Sequence, residues 1–103
     1  MENTEEWQPP KDIKPWIVCA ANKCRDHVIL GARHWDNIMH QQQLAKQHAD
    51  TGQHWIWEQG FIDQWGRFYN RKDAMKAVLA SGQPFNAERN SGNGEDLYSE
   101  GLY

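Results

Sequence analysis

Twice along this chain a β-rich stretch gives way to apolar residues at three- and four-residue spacing that stop near a glycine, and that order limits the fold more than any other feature. The first instance begins with "PWIVCAA" (Pro15 to Ala21), rich in β-branched and aromatic residues, then the polar "NKCRD" and a second apolar run, "HVILG". These read as a hairpin. The turn lacks the Asn-Gly or Asp-Gly of a tight two-residue loop, which predicts a longer one through Asn22 to Asp26. Asp36 then supplies a helix-capping side chain, and Trp35, Ile38, Met39, Leu44, Ala45 and Ala49 form an apolar stripe. The spacing predicts a helix over about Asp36 to His48, its "HQQQ", Lys46 and Gln47 face solvated, ended at Thr51 and Gly52.

The second instance starts at "HWIWEQGFID" (His54 to Asp63), where strict alternation sets Trp55, Trp57, Gln59 and Phe61 on one side of a strand. Gly66 marks a turn before Phe68 and Tyr69, so a short partner strand is plausible. Asn70 with Asp73 reads as a capping pair for a helix carrying Ala74, Met75, Val78 and Leu79, closed by Gly82. The fold class expected is therefore α+β: a small single domain with a short antiparallel sheet, two hairpin strands plus one or two more, packed against two helices. Residues 1–15, with Pro9, Pro10 and Pro15 among charges, read as a flexible arm and 16–85 as the domain. Residues 86–96 are Gly-, Asn- and acid-rich and read as a linker. The closing 97–103, "LYSEGLY", is apolar enough to dock on the domain.

A chain of 103 residues buries only about 60–70% of the surface its unfolded form exposes, so a modest core must be filled by large side chains. Its six tryptophans are the obvious candidates. No apolar run is long enough to cross a bilayer, and the acidic, proline-rich start lacks the form of a signal peptide, so a cytoplasmic location is expected. Cys19 and Cys24 are then free thiols. A net charge of −3 argues against a general nucleic-acid binder, which normally shows a basic face.

Several segments in order, "GARHWD", "QGFIDQWGRFYNRKDA", "SGQ" and the final "LYSEGLY", resemble a widespread group of small proteins carried by phages and prophages. The shared pattern is Gly-x-Arg-His, then Gln-Gly-Phe before a second glycine, Arg-x-x-Ala opening a helix, a following Gln, and Leu-x-Ser-Glu-x-Leu with an aromatic. Here Gly101 stands where that pattern has an acidic residue. The resemblance spans roughly Ile17 to Tyr103 and implies a phage accessory role, in the cytoplasm of an infected or lysogenic bacterial host; it implies no particular chemistry.

Arg33, His34 and Asp36 lie where an apolar run meets a helix start, a place where unsatisfied N–H groups and a guanidinium favour an anion such as phosphate. Equally, Asp36 can simply cap the helix. Gln59, Phe61 and Asp63 share a strand face that can stack and orient a planar base or ribose, although aromatics at that spacing are more often core. Ser99 and Glu100 can complete a pocket if the tail docks. The histidines do not have the spacing of a zinc pair, and the two cysteines, C-x4-C, have no second pair, so no metal is expected and no cofactor. No nucleophile elbow is present, and no catalytic residue is assigned.

These features favour a binding protein for a small anionic or nucleotide-like ligand or a host signal, in a counter-defence role. A protein-binding inhibitor of a host factor is the alternative, with exposed tryptophans as anchors, and a small nucleotide hydrolase using His34 with Asp36 or Asp63 is a third. A homo-oligomer is compatible with each, and no membrane partner is expected.

Overall fold

The computed structural model describes residues 10–52, 55–90 and 94–102. Its strands are β1 (Ile17–Cys24), β2 (His27–Gly31), β3 (Glu58–Asp63) and β4 (Phe68–Asn70), and its helices α1 (Asn37–Ala49), α2 (Arg71–Ser81) and the short α3 (Ser99–Leu102). The strands form one antiparallel sheet in the order β2-β1-β3-β4. This is the α+β arrangement the element order implied, with a third, four-residue helix added.

The β1–β2 connection is tighter than its composition predicts. Cys24 pairs with His27, leaving Arg25 and Asp26 as the whole turn. Arg25 takes a left-handed φ of 55°, a conformation more often left to glycine or asparagine. A register shift between Ile17 and Cys19 bulges β1 beside β3. There the Gln83 amide joins in, its oxygen accepting from Ile17 N–H at 2.8 Å and its nitrogen donating to Ile17 C=O at 2.7 Å.

Two more glutamines act as strand substitutes. Gln42 accepts from Leu30 N–H and donates to Leu30 C=O, covering part of the β2 edge. Gln64 accepts from Trp16 N–H at 2.6 Å and donates to Lys14 C=O at 3.0 Å. An exposed sheet edge is a template for unwanted pairing, and a side-chain amide blunts it without adding a strand.

The core is made by Ile17, Ala20, Ile29, Phe61, Met39, Ala74, Met75, Val78 and Leu97. Tryptophan is not its filling: Trp16 is exposed and Trp35, Trp55, Trp57 and Trp65 are only half-buried, while Trp7 lies outside the described residues. The strand expected from His54 begins only at Glu58, with His54 itself outside the described residues. The α1 stripe is likewise corrected. Only Met39 of that helix is buried, Ile38 and Leu44 face solvent, and Gln42, Gln43, Lys46 and Gln47 are the half-buried side. The reason is that α1 lies over the β2 edge, where Gln42 is needed for backbone groups and the half-buried tryptophans stand beside the helix. It ends on Asp50, whose N–H donates to Lys46 C=O, before Gly52 is reached. Helix α2 follows its sequence signals: Asn70 caps it by accepting from Asp73 N–H, and Gly82 closes it at φ 74°.

At the ends, residues 1–9 of the expected arm and Tyr103 lie outside the described residues. Lys14 Nζ donates to Ala80 C=O. Leu97 is fully buried, its N–H donating to Arg71 C=O. Asn90, also buried, accepts from Tyr98 N–H and donates to Asp96 C=O. Asn86 N–H donates to Gly101 C=O at 2.7 Å.

Candidate functional site

The turn from β2 into α1 is organised by one carboxylate. Asp36 accepts from Ala32 N–H at 3.0 Å, Arg33 N–H at 3.3 Å and Met39 N–H at 2.8 Å. Gly31 makes this possible, because a Cβ there would sit 2.6 Å from Asp36 Oδ1. The hydrogen bond from Met39 N–H, with those from Arg33 and Ala32, holds the Asp36 carboxyl below the ordinary carboxylate range against the opposing effect of burial. These three N–H groups are therefore already satisfied by Asp36, and an anion at this turn must be met by side chains.

Two of those side chains come from the turn itself. His34 Nε2 lies 2.6 Å from Gly60 C=O, and its ring meets Phe61 edge-on at 5.0 Å. A carbonyl only accepts, so Nε2 carries the hydrogen and Nδ1 is the basic nitrogen. Burial, helped by the nearby Arg71 charge, outweighs Gly60 C=O and Glu100 and lowers the His34 pKa, which leaves the ring neutral at pH 7. Beside it, Arg33 Nη1 stands 3.7 Å from Glu100 Oε2 of α3, and more than half of the Glu100 side chain is exposed.

The β4–α2 junction contributes Arg71, the first residue of α2. Its Nη1 donates to Leu97 C=O at 2.8 Å, its Nη2 to Gln59 Oε1, and its guanidinium lies 4.3 Å from the centre of the Tyr98 ring. It thus ties β3, α2 and the C-terminal segment together. Burial lowers its pKa, with Tyr98, Glu100 and Asp96 opposing, and it remains charged. Glu100 acts electrostatically on both Arg71 and His34 while paired with Arg33, so the four groups form one charged cluster. An open groove of about 600 Å³ continues from Arg71, lined also by Glu58, Gln59, Lys72, Asp96 and Tyr98.

Of the residues singled out in the sequence, Arg33, His34 and Glu100 come together, and Gln59 joins them through Arg71. Ser99 is buried, and Phe61 is a fully buried core ring behind His34. Asp63 belongs to the β3–β4 turn, accepting from Trp65 N–H, Arg67 N–H, Arg67 Nε and Tyr69 O–H. Burial alone would raise its pKa, but those hydrogen bonds together hold it below the ordinary range. Gly60 is explained by a close approach: a Cβ would run into the Tyr69 carbonyl and the Phe68 ring.

Sequence reasoning missed Arg71, Lys72, Asp96 and Tyr98. The signal for Arg71 was present, since Arg-x-x-Ala is one of the segments carrying the phage-protein resemblance, yet only its helix-opening role was used. Among the described residues no group of three or more His, Cys, Asp or Glu side chains is placed to hold a metal ion, and no helix is long and apolar enough to cross a membrane.

No curated protein and no solved structure matches the chain significantly. A family model described as Phage T4 y16D protein matches residues 16–103, from the strand-forming start of the domain through both halves of the cluster to the C-terminus. This small α+β protein therefore belongs to the phage T4 y16D protein family.

Proposed function

We propose that this protein is a phage accessory binding module, without a catalytic role, that holds a nucleotide-like anion at the Arg33–Arg71 cluster. One observation carries the reading. In a chain of net charge −3, the Arg33 guanidinium pairs with the largely exposed carboxylate of Glu100, and the Arg71 guanidinium, from a separate element, lies close enough to feel the same charge. Such a cluster exchanges its loosely held carboxylate for a phosphate at little cost, because exposed ion pairs contribute about 0–1 kcal/mol, while planar guanidinium forks match phosphate oxygens. Native mass spectrometry of the protein against mono- and dinucleotides, cyclic dinucleotides and ADP-ribose derivatives tests it. At least one stoichiometric complex is expected; its absence across the panel ends the small-molecule reading.

A second reading, inhibition of a host protein, is favoured by the tryptophan row. Trp55 and Trp57 stack at 5.5 Å and 14°, and Trp57 meets Trp35 edge-on at 6.4 Å. Trp35 holds a left-handed φ of 60°, unusual for so large a residue. The row is half-exposed beside the solvent-facing Ile56. Large aromatic anchors dominate interface energetics. A host protein that copurifies with the wild type and is lost with Trp57→Ala would favour this reading over the first.

A further inference from the structure

The groove that continues from Arg71 carries opposite charges on different walls. Arg71 and Lys72 belong to the first turn of α2, Glu58 opens β3, and Asp96 lies in the segment that leads into α3. No described residue donates a hydrogen bond to the carboxylate of Glu58 or Asp96, so both keep their acceptor capacity for something else. Asp96 lines the same groove as Arg71 and is near enough to act electrostatically on it, so a cation and a carboxylate face one cavity.

A bare anion entering this groove meets two carboxylates, and a bare cation meets Arg71 and Lys72. A ligand with phosphate at one end and adjacent hydroxyls at the other satisfies both walls: phosphate oxygens accept from the cations, and hydroxyls donate to the carboxylates. The Tyr98 ring, already backed by the Arg71 guanidinium, adds an aromatic surface of the kind on which bases stack. The groove volume of about 600 Å³ is within the range of small-molecule sites.

We propose that the groove recognises a ribonucleotide through its vicinal diol, with phosphate held by Arg71 and Lys72 and the ribose hydroxyls donating to Asp96 and Glu58. The proposal rests on the anion-binding reading above and adds a requirement which that reading lacks, that the sugar bear both hydroxyls.

Calorimetric titration of the full chain tests it, with the four ribonucleoside 5′-diphosphates, their 2′,3′-dideoxy counterparts and inorganic pyrophosphate at one fixed ionic strength. At least one ribonucleotide is expected to bind about tenfold or more tighter than its dideoxy counterpart and than pyrophosphate, the scale of one or two hydrogen bonds to charged acceptors. Asp96→Asn and Glu58→Gln should each shrink that preference to within about threefold without weakening pyrophosphate. The two substitutions lie on different elements, so if one unfolds the chain the other still decides, with circular dichroism reporting the fold. Equal affinity for ribo and dideoxy forms, or a preference that survives in a folded variant, overturns the diol proposal while the anion reading stands. No binding by any of these compounds overturns both.

Discussion

In the β3–β4 turn Arg67 Nε lies 2.9 Å from Asp63 Oδ2, and that carboxylate is sealed from solvent. In the cluster Arg33 Nη1 lies 3.7 Å from Glu100 Oε2, with 59% of the Glu100 side chain exposed. Both are arginine–carboxylate pairs, yet they have different consequences. Asp63 also accepts from Trp65 N–H, Arg67 N–H and Tyr69 O–H, so its acceptor sites are used and water is excluded. Such a group can be removed only at a cost. Glu100 sits on a longer contact from a largely exposed side chain, and another anion can replace it with little loss to the fold. Saturation marks the structural pair, and slack marks the one proposed here to bind an anion.

Breaking the closed pair should give the largest effect. Asp63→Ala leaves Tyr69 O–H, two backbone N–H groups and the Arg67 guanidinium without their shared acceptor, and each buried donor left unsatisfied costs about 1–3 kcal/mol. Thermal denaturation should show a midpoint lowered by more than about 10 °C. A loss below about 1 kcal/mol would mean that the turn holds itself without Asp63.

Next in size is Leu97→Ala. Leu97 is fully buried among core residues, and truncation of such a side chain costs about 2–5 kcal/mol. Urea unfolding should record that loss. An unchanged midpoint would show that the C-terminal segment contributes nothing to stability, and the cluster would then lose the part that carries Glu100.

Opening the slack pair should hardly touch the fold. Arg33 is half-buried, and its Nη1 contact with Glu100 is long, so Arg33→Ala is expected to cost less than about 1 kcal/mol of stability. Its effect should appear in anion binding, where one charge-assisted contact is worth about 1.5–3 kcal/mol.

The smallest effect is a pH dependence at His34. Its folded pKa is lowered from 6.5, first by burial, so the unfolded chain takes up a proton before the folded one does. The stability due to neutral His34 is therefore present above pH 6.5 and lost as pH falls through the lower folded value. Comparing urea midpoints at about pH 7.5 and pH 5.5, on either side of the unperturbed value, the wild type should lose more stability than His34→Gln. Equal losses would mean that His34 does not titrate in this window.

The same contrast separates what could be read in the sequence from what could not. Local chemistry was legible: the Asn70 and Gly82 ends of α2, the capping by Asp36, the first hairpin and the α+β order depend on residues close in the chain. The inner face of α1 was not, because its orientation is decided by a distant partner. Gln42 turns inward to satisfy Leu30, and a hydrophobic-stripe argument cannot anticipate a polar side chain used in place of a strand. Asp63 was misleading for a related reason. A strand-face carboxylate beside an aromatic looks like a ligand contact until Arg67 and Tyr69, four and six residues later, fold back on it. Arg33 and Glu100 could be named as candidates, but their meeting depends on where the C-terminal segment lies. Arg71 escaped because its visible duty at a helix start concealed its reach to Leu97 and Gln59.

The claim that the cluster is an anion site is tested most directly by following the thermal midpoints of wild type and Arg33→Ala with each nucleotide of the panel, at low and at physiological salt. A ligand that binds only the folded chain at about one hundred times its dissociation constant stabilises it by about 2.7 kcal/mol. The account predicts a rise of that order for the wild type with at least one nucleotide, reduced by added salt. In Arg33→Ala the rise should be largely lost, although its ligand-free midpoint stays close to that of the wild type. A wild type that no nucleotide shifts, or an Arg33→Ala variant that shifts as far as the wild type, would contradict it.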